Sequence, residues 1–253
     1  MSSKYLRSAQ ALAIAAIGVS AQAATVNYTG WAYGNSWNNK VNVDVVKETV
    51  SAGGFIGSVT FKTGGEQGFT GTLSNFVSYC VELTQSFYLP SGDMSGYNVL
   101  AASDYGEWSN ANGNGRTAAA TGQRLGQLLS YAASNSLVRT ADQSTSLQLA
   151  IWNVIYDTDN SLNAGLFQER SGASYDAYAN QLLAGSASWA GMLDVYVLQN
   201  GDKQDFVLTR DTGRKVPTGF GGTRNVPEPA SLALVMLGLG AAGAARRRAR
   251  KPG

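Results

Sequence analysis

Apolar and polar positions alternate through much of the first third of the chain. Val41, Val43 and Val45 do so in KVNVDVVKETV, and Ile56, Val59 and Phe61 follow after a glycine pair. Side chains of a strand point to its two faces in turn, so this spacing predicts β structure. Glycines punctuate KTGGEQGFTG, and a second alternating run, NFVSYCVELTQSFYL, comes next. Val77, Tyr79, Val81 and Leu83 fall on one face; Ser78, Cys80 and Glu82 fall on the other. The apolar face is expected to meet a core, and the Cys80 face then needs a cover from elsewhere.

Gly92 to Gly115 is rich in Gly, Asn and Ser and reads as a long loop carrying Tyr97, Tyr105 and Trp108. The period then changes. Leu125, Leu128, Leu129 and Ala132 take helical spacing in RTAAATGQRLGQLLSYAAS. A second helix, with Leu147, Ile151, Val154 and Ile155 as its stripe, is expected to start after Ser144 or Thr145. A third is expected in SYDAYANQLLAG, capped by Ser174 and stopped by Gly185. Strand patterns return in LDVYVLQN and DFVLTR, joined through Gly201-Asp202 as a hairpin. Strands, helices and strands again predict an α+β body over residues 24–215. Its expected form is a β-sandwich with a helical subdomain inserted at about residues 116–185, which supplies the missing cover.

The two ends read as addresses. Lys4 and Arg7 precede the apolar run ALAIAAIGV, and Ala21-Gln22-Ala23 offers a small-x-small cleavage site. Residues 1–23 therefore read as a signal peptide handled by the Sec machinery and a signal peptidase. At the other end, residues 216–225 read as a linker, and Val226-Pro227-Glu228-Pro229 precedes sixteen uncharged residues, Ala230 to Ala245. Arg246, Arg247, Arg248 and Arg250 follow, with Lys251. Rising about 1.5 Å per residue, such a helix only just approaches the thickness of a bilayer core, its basic end held on the cytoplasmic side.

The three-part order of residues 226–253 resembles the PEP-CTERM sorting signal of Gram-negative bacteria. The resemblance implies a transient inner-membrane anchor, cleavage by an exosortase near Pro-Glu-Pro, and release to the cell surface or extracellular matrix.

Removing these ends changes the charge. The full chain has 19 basic and 17 acidic residues. Without Lys4, Arg7, Glu228 and the five basic residues of the tail, 12 basic and 16 acidic residues remain. The body is thus mildly acidic and lacks the basic face that nucleic-acid binding requires. It has no histidine and one cysteine. That excludes His-dependent nucleophile pairs, His-ligated metals, internal disulfides and cysteine-rich zinc sites. No cofactor and no turnover enzyme chemistry are expected.

The lone Cys80 lies in YCVEL, and LQLAIWNVIYD spans Leu147 to Asp157. These two segments resemble the paired motifs of bacterial thioester domains, known from the tips of Gram-positive adhesins. The resemblance implies a β-sandwich with an inserted helical subdomain and a bond between Cys80 and Gln148, whose carbonyl then captures an amine. Ala150, Ile151 and Trp152 complete the second motif, while Leu147 stands where that family often has threonine. The chemistry suits the residue types: sulfur attacks the carboxamide, ammonia leaves, and a good leaving group remains on the acyl carbon. Tyr79 and Trp152 are large enough to roof the bond, and Glu82 is a candidate proton acceptor or else a solvated surface carboxylate.

The alternative is a non-covalent structural or polysaccharide-associated matrix protein with Cys80 merely packed. Trp31, Tyr33, Trp37, Tyr97 and Trp108 then stack on sugars or anchor their own loops. DTDNSLN (Asp157 to Asn163) has the opening of a calcium loop but carries Leu162 at the sixth position and Gln168 at the twelfth. A hydrolase using Asp157 and Glu169 has no spacing in its favour.

Overall fold

The computed structural model describes residues 24–211, except 35–39, 44, 46, 63–65, 171–173 and 191–192. The signal peptide, Trp37, the linker, the sorting motif and the basic cluster lie outside the described residues. Among the described residues no helix is long and apolar enough to cross a membrane.

Among the described residues eight strands and three α-helices follow the expected order of strands, helices and strands. The strands before the helices are β1 (Ala24–Trp31), β2 (Lys40–Val43), β3 (Glu48–Ser51), β4 (Phe55–Phe61), β5 (Gly71–Ser78) and β6 (Met94–Ala101). Then come α1 (Ala118–Ser134), α2 (Ala141–Tyr156), α3 (Tyr175–Ser186), β7 (Leu193–Gln199) and β8 (Phe206–Asp211). The α+β class is as expected. The strands, however, do not divide into two stacked sheets. Six of them form one antiparallel sheet in the order β5-β4-β1-β6-β7-β8, and β2 and β3 form a separate ribbon.

The two edges of the large sheet meet. Just past β5, Val207 N donates to Tyr79 O (3.0 Å) and Val81 N donates to Asp205 O (3.1 Å), with Cys80 opposite Phe206. These bonds stitch the end of β5 to the start of β8 and make the sheet nearly a closed barrel, which leaves little edge exposed. The enclosed core is aromatic: Phe206 lies 4.7 Å from Tyr28, 5.1 Å from Phe87 and 6.1 Å from Phe55, centroid to centroid.

β1 is central in this sheet. Ala24, Val26 and Tyr28 are buried and their polar neighbours are not, a period-two pattern begun directly at the expected cleavage site. A bulge at Tyr28/Gly30 brings β1 so close to β4 that a Cβ on Gly57 would sit 1.9 Å from Asn27 O. Only glycine fits there.

The helices cover one side. Thr117 caps α1 by accepting from Ala120 N (3.2 Å), and its Leu125, Leu128, Leu129 and Ala132 stripe is buried as the spacing predicts. α2 begins earlier than its pattern suggested. Thr140 is the cap, accepting from Gln143 N (3.2 Å), which frees Ser144 and Thr145 to face inward. Gly54 N donates to Ser144 Oγ (2.8 Å) and Thr145 Oγ1 donates to Ala52 O (3.0 Å), so this end of α2 is tied to the β3–β4 loop. α3 ends at Ser186 rather than Gly185, and Ser174 precedes it without a side-chain cap.

The segment Gly92 to Gly115 is not one long loop. It contains β6 and three short 3-10 turns, and Tyr97, Tyr105 and Trp108 are buried. Those aromatics anchor the chain and are not open to sugars; Trp31 and Tyr33 are partly buried against the same core.

Candidate functional site

The strand expected through Leu83 stops at Ser78, and the next residues are held mainly by side chains. In the Cys80–Phe206 bridge the flanking residues make the sheet bonds, so the N–H and C=O of Cys80 itself point away from β8. There α2 supplies the partner. Cys80 N donates to Gln148 Oε1 at 2.9 Å, and Gln148 Nε2 donates to Cys80 O at 2.9 Å. One carboxamide thus takes the place of a neighbouring strand's peptide group. Gln148 is fully buried and Cys80 is 7% exposed.

Neighbouring groups extend this cage. Trp108 Nε1 donates to Val81 O (3.4 Å), Leu83 N donates to Tyr156 Oη (3.2 Å), and Gln204 Nε2 donates to Glu82 O (3.3 Å). Both faces of the segment are enclosed: Ser78, Tyr79, Cys80, Val81 and Glu82 are all buried. The two-face division read from the alternation fails because the stretch sits between the sheet and α2 and has no solvent side.

The other predicted residues fall around this pair. The Tyr79 hydroxyl is 3.3 Å from Ser144 Oγ, and its ring leaves no room for a side chain at Gly54, where a Cβ would lie 2.8 Å from it. Ile151 is buried, and Trp152, one turn after Gln148, is buried with no hydrogen-bond partner for Nε1 among the described residues. Glu82 is not a solvated surface carboxylate. Its Oε2 accepts from Thr84 N, Thr84 Oγ1 (2.7 Å) and Gln85 N (2.9 Å), and its Oε1 accepts from Gln204 Nε2 (2.5 Å). Those bonds lock the turn after the segment.

Electrostatics around the sulfur oppose its ionisation. Burial pushes the Cys80 thiol well above its usual range, and the Glu82 and Asp205 carboxylates add to that. Asp205 is the neighbour that the sequence did not single out. It follows Gly201-Asp202 in what reads as an ordinary hairpin, yet its side chain is buried. Tyr105 Oη donates to Asp205 Oδ2 (2.7 Å) and also lies 2.9 Å from Glu107 Oε2, while Asn200 N donates to Asp205 Oδ1 (2.6 Å). Desolvation raises Asp205 to about 7, against the pull of those two bonds. One phenolic proton cannot serve two carboxylates, so the trio has a place for a second proton.

Of the other acidic candidates, Glu169 is buried and Asp157 holds a loop. Asp157 accepts from the backbone N–H groups of Thr158 (2.6 Å), Asp159 (3.3 Å), Phe167 (2.8 Å) and Leu166, which closes the loop after α2. Among the described residues no group of three or more His, Cys, Asp or Glu is placed to hold a metal ion.

Comparison with known proteins bears on the tail. Residues 225–251 match the model of the PEP-CTERM protein-sorting motif. The chain carries an exosortase sorting signal. The motif thus supports an exported protein, membrane-anchored as a precursor and processed by an exosortase. No curated protein and no solved structure matches the chain.

Proposed function

We propose that the exported body captures amine-bearing targets covalently through an internal thioester between Cys80 and Gln148. The reading rests on one observation: two residues 68 positions apart meet in a buried site, the Gln148 carboxamide bonded both ways to the Cys80 backbone. In the forming step Cys80 Sγ adds to Gln148 Cδ, the thiol proton passes to the amide nitrogen, and ammonia leaves. The Cys80 N–H donates to the oxygen on which negative charge develops, the role of an oxyanion donor. Burial keeps water from the product, and fixed proximity replaces a separate catalyst. A primary amine on the target then takes the acyl group as a permanent amide. The protein acts once and is not a turnover enzyme. Sorting through the PEP-CTERM motif delivers this acyl donor to the cell surface or matrix.

A second reading has its own support. The same two hydrogen bonds satisfy backbone groups that are otherwise orphaned, and burial holds the thiol protonated. Gln148 is then a staple in a non-covalent matrix protein. The intact mass of the mature exported protein separates the two. The thioester gives a mass lower by one ammonia, absent in Cys80→Ala, and methylamine adds to it. A full sequence mass with no methylamine uptake leaves only the staple.

A further inference from the structure

Tyr105 stands between two carboxylates. Its buried hydroxyl is 2.7 Å from Asp205 Oδ2 and 2.9 Å from Glu107 Oε2. A phenol has one proton to donate and lone pairs that accept. Both contacts are therefore hydrogen bonds only when one carboxyl is itself protonated, with Glu107 O–H donating to Tyr105 Oη and Tyr105 O–H donating to Asp205. With both acids ionised, one carboxylate faces the phenol oxygen with no proton between them.

The two acids differ in what else holds them. Asp205, just before β8, is 2% exposed, and its Oδ1 accepts from Asn200 N at 2.6 Å. Glu107 is exposed, in the 3-10 turn Gly106–Trp108, and Tyr105 is its one side-chain partner among the described residues. Loss of the second proton therefore frees Glu107, which water solvates, and leaves Asp205 with the phenol. The titratable groups coupled to the pair are acids: Glu82 and Cys80 of the segment after β5, Tyr97 of β6 and Tyr156 of α2. Burial first, then the Glu107 and Glu82 carboxylates, raise Asp205 to about 7, so the second proton is held in mildly acidic solution.

We propose that Glu107, Tyr105 and Asp205 form a proton-operated latch, in which the doubly protonated chain pins the Gly106–Trp108 turn and loss of one proton releases it. The turn lies over the Cys80 segment. Trp108, next to Glu107, is 1% exposed, meets the Tyr105 ring edge-on at 5.2 Å and donates to Val81 O (3.4 Å). Val81 N in turn donates to Asp205 O (3.1 Å). The Asp205 side chain thus grips the turn while its backbone grips the segment beneath. The latch is closed on the acid side and open on the alkaline side, whether or not Cys80 and Gln148 are joined.

Amide hydrogen exchange of the mature protein tests this at Trp108 and Ser109, whose N–H groups donate to Tyr105 O (3.1 Å) and Gly106 O (2.9 Å). Comparing wild type with Glu107→Gln at one pH cancels the pH dependence of the exchange chemistry, and glutamine keeps a donor for the Tyr105 oxygen at every pH. At about pH 8 the wild-type amides are expected to exchange about tenfold faster than those of Glu107→Gln, roughly the worth of one hydrogen bond. At about pH 5 the two proteins exchange alike. Tyr105→Phe, which lacks the central hydroxyl, exchanges fast at both. Equal rates for wild type and Glu107→Gln at the higher pH overturn the latch. So does a difference equally large at the lower pH, since glutamine then stabilises the turn without regard to the proton. A Tyr105→Phe protein as slow as Glu107→Gln also overturns it, because the hydroxyl is then not the link.

Discussion

β7 and β8 pair along six consecutive residues, from Leu193–Asp211 to Leu198–Phe206, through their backbones. Residues 79–83 lie against the start of the same β8 strand and are held differently. Of the seven bonds made by backbone groups from Tyr79 O to Leu83 N, two go to backbone and five to the side chains of Gln148, Trp108, Gln204 and Tyr156. A backbone ladder tolerates substitution, because every residue type brings the same N–H and C=O. A segment wrapped in side chains depends on the identity of each one, so the second region is where this fold is chemically specified.

Gln148→Ala provides the largest contrast. Made in a Cys80→Ala background, so that no covalent bond enters, it strands the N–H and C=O of residue 80 inside the protein. At about 1–3 kcal/mol for each orphaned group, the expected loss is about 3 kcal/mol, read from the denaturant midpoint. A loss under about 1 kcal/mol removes the distinction between the two regions.

Asp205 sharpens the comparison, since it joins the segment by its backbone and the buried Tyr105, which also reaches the exposed Glu107, by its side chain. Its folded value of about 7 lies above the unfolded carboxyl value near 3.9, so the folded state binds more protons between those limits. Stability should therefore be greatest at the acid end of that window and fall as pH rises towards 7. Denaturation at pH 5 and pH 8 measures the slope, which Asp205→Asn should reduce. It should not abolish it, because Asp176, also raised to about 7 by burial and by Glu169, contributes with the same sign. A slope unchanged by the substitution assigns the effect elsewhere.

The smallest effect belongs to the regular sheet. Thr60 and Thr72 face each other across β4 and β5 with their hydroxyls 3.0 Å apart and exposed. Thr60→Val should shift stability by less than about 0.5 kcal/mol in the same denaturant assay. A cost approaching that of Gln148→Ala shows the ladder to be no more tolerant than the cage.

The legibility of the sequence divides along the same line. Periodicity exposed α1, whose single buried face the pattern records, while the apolar residues of α2 and of the β7–β8 hairpin marked those elements even though they are buried on more than one face. It misread residues 78–83 as a two-faced strand, since a stretch covered on both sides keeps no polar face. The Gly92–Gly115 stretch misled for the opposite reason. Its Gly and Asn residues belong to turns, while Met94, Tyr97 and Val99 still bury a strand between them. The Cys80 and Gln148 positions were legible only through resemblance to paired motifs, as no local pattern links residues 68 apart. Asp205 left no signal, because its chemistry arises from what the closed sheet places beside it.

That closure has a consequence in time. Cys80, Gln148 and Asp205 follow one another along the chain, and β8 is the last described strand in that order. Closure therefore acts as a delay: the sulfur and the carboxamide reach their final seating only once β8, at the far end of the described chain, is available to bridge Cys80.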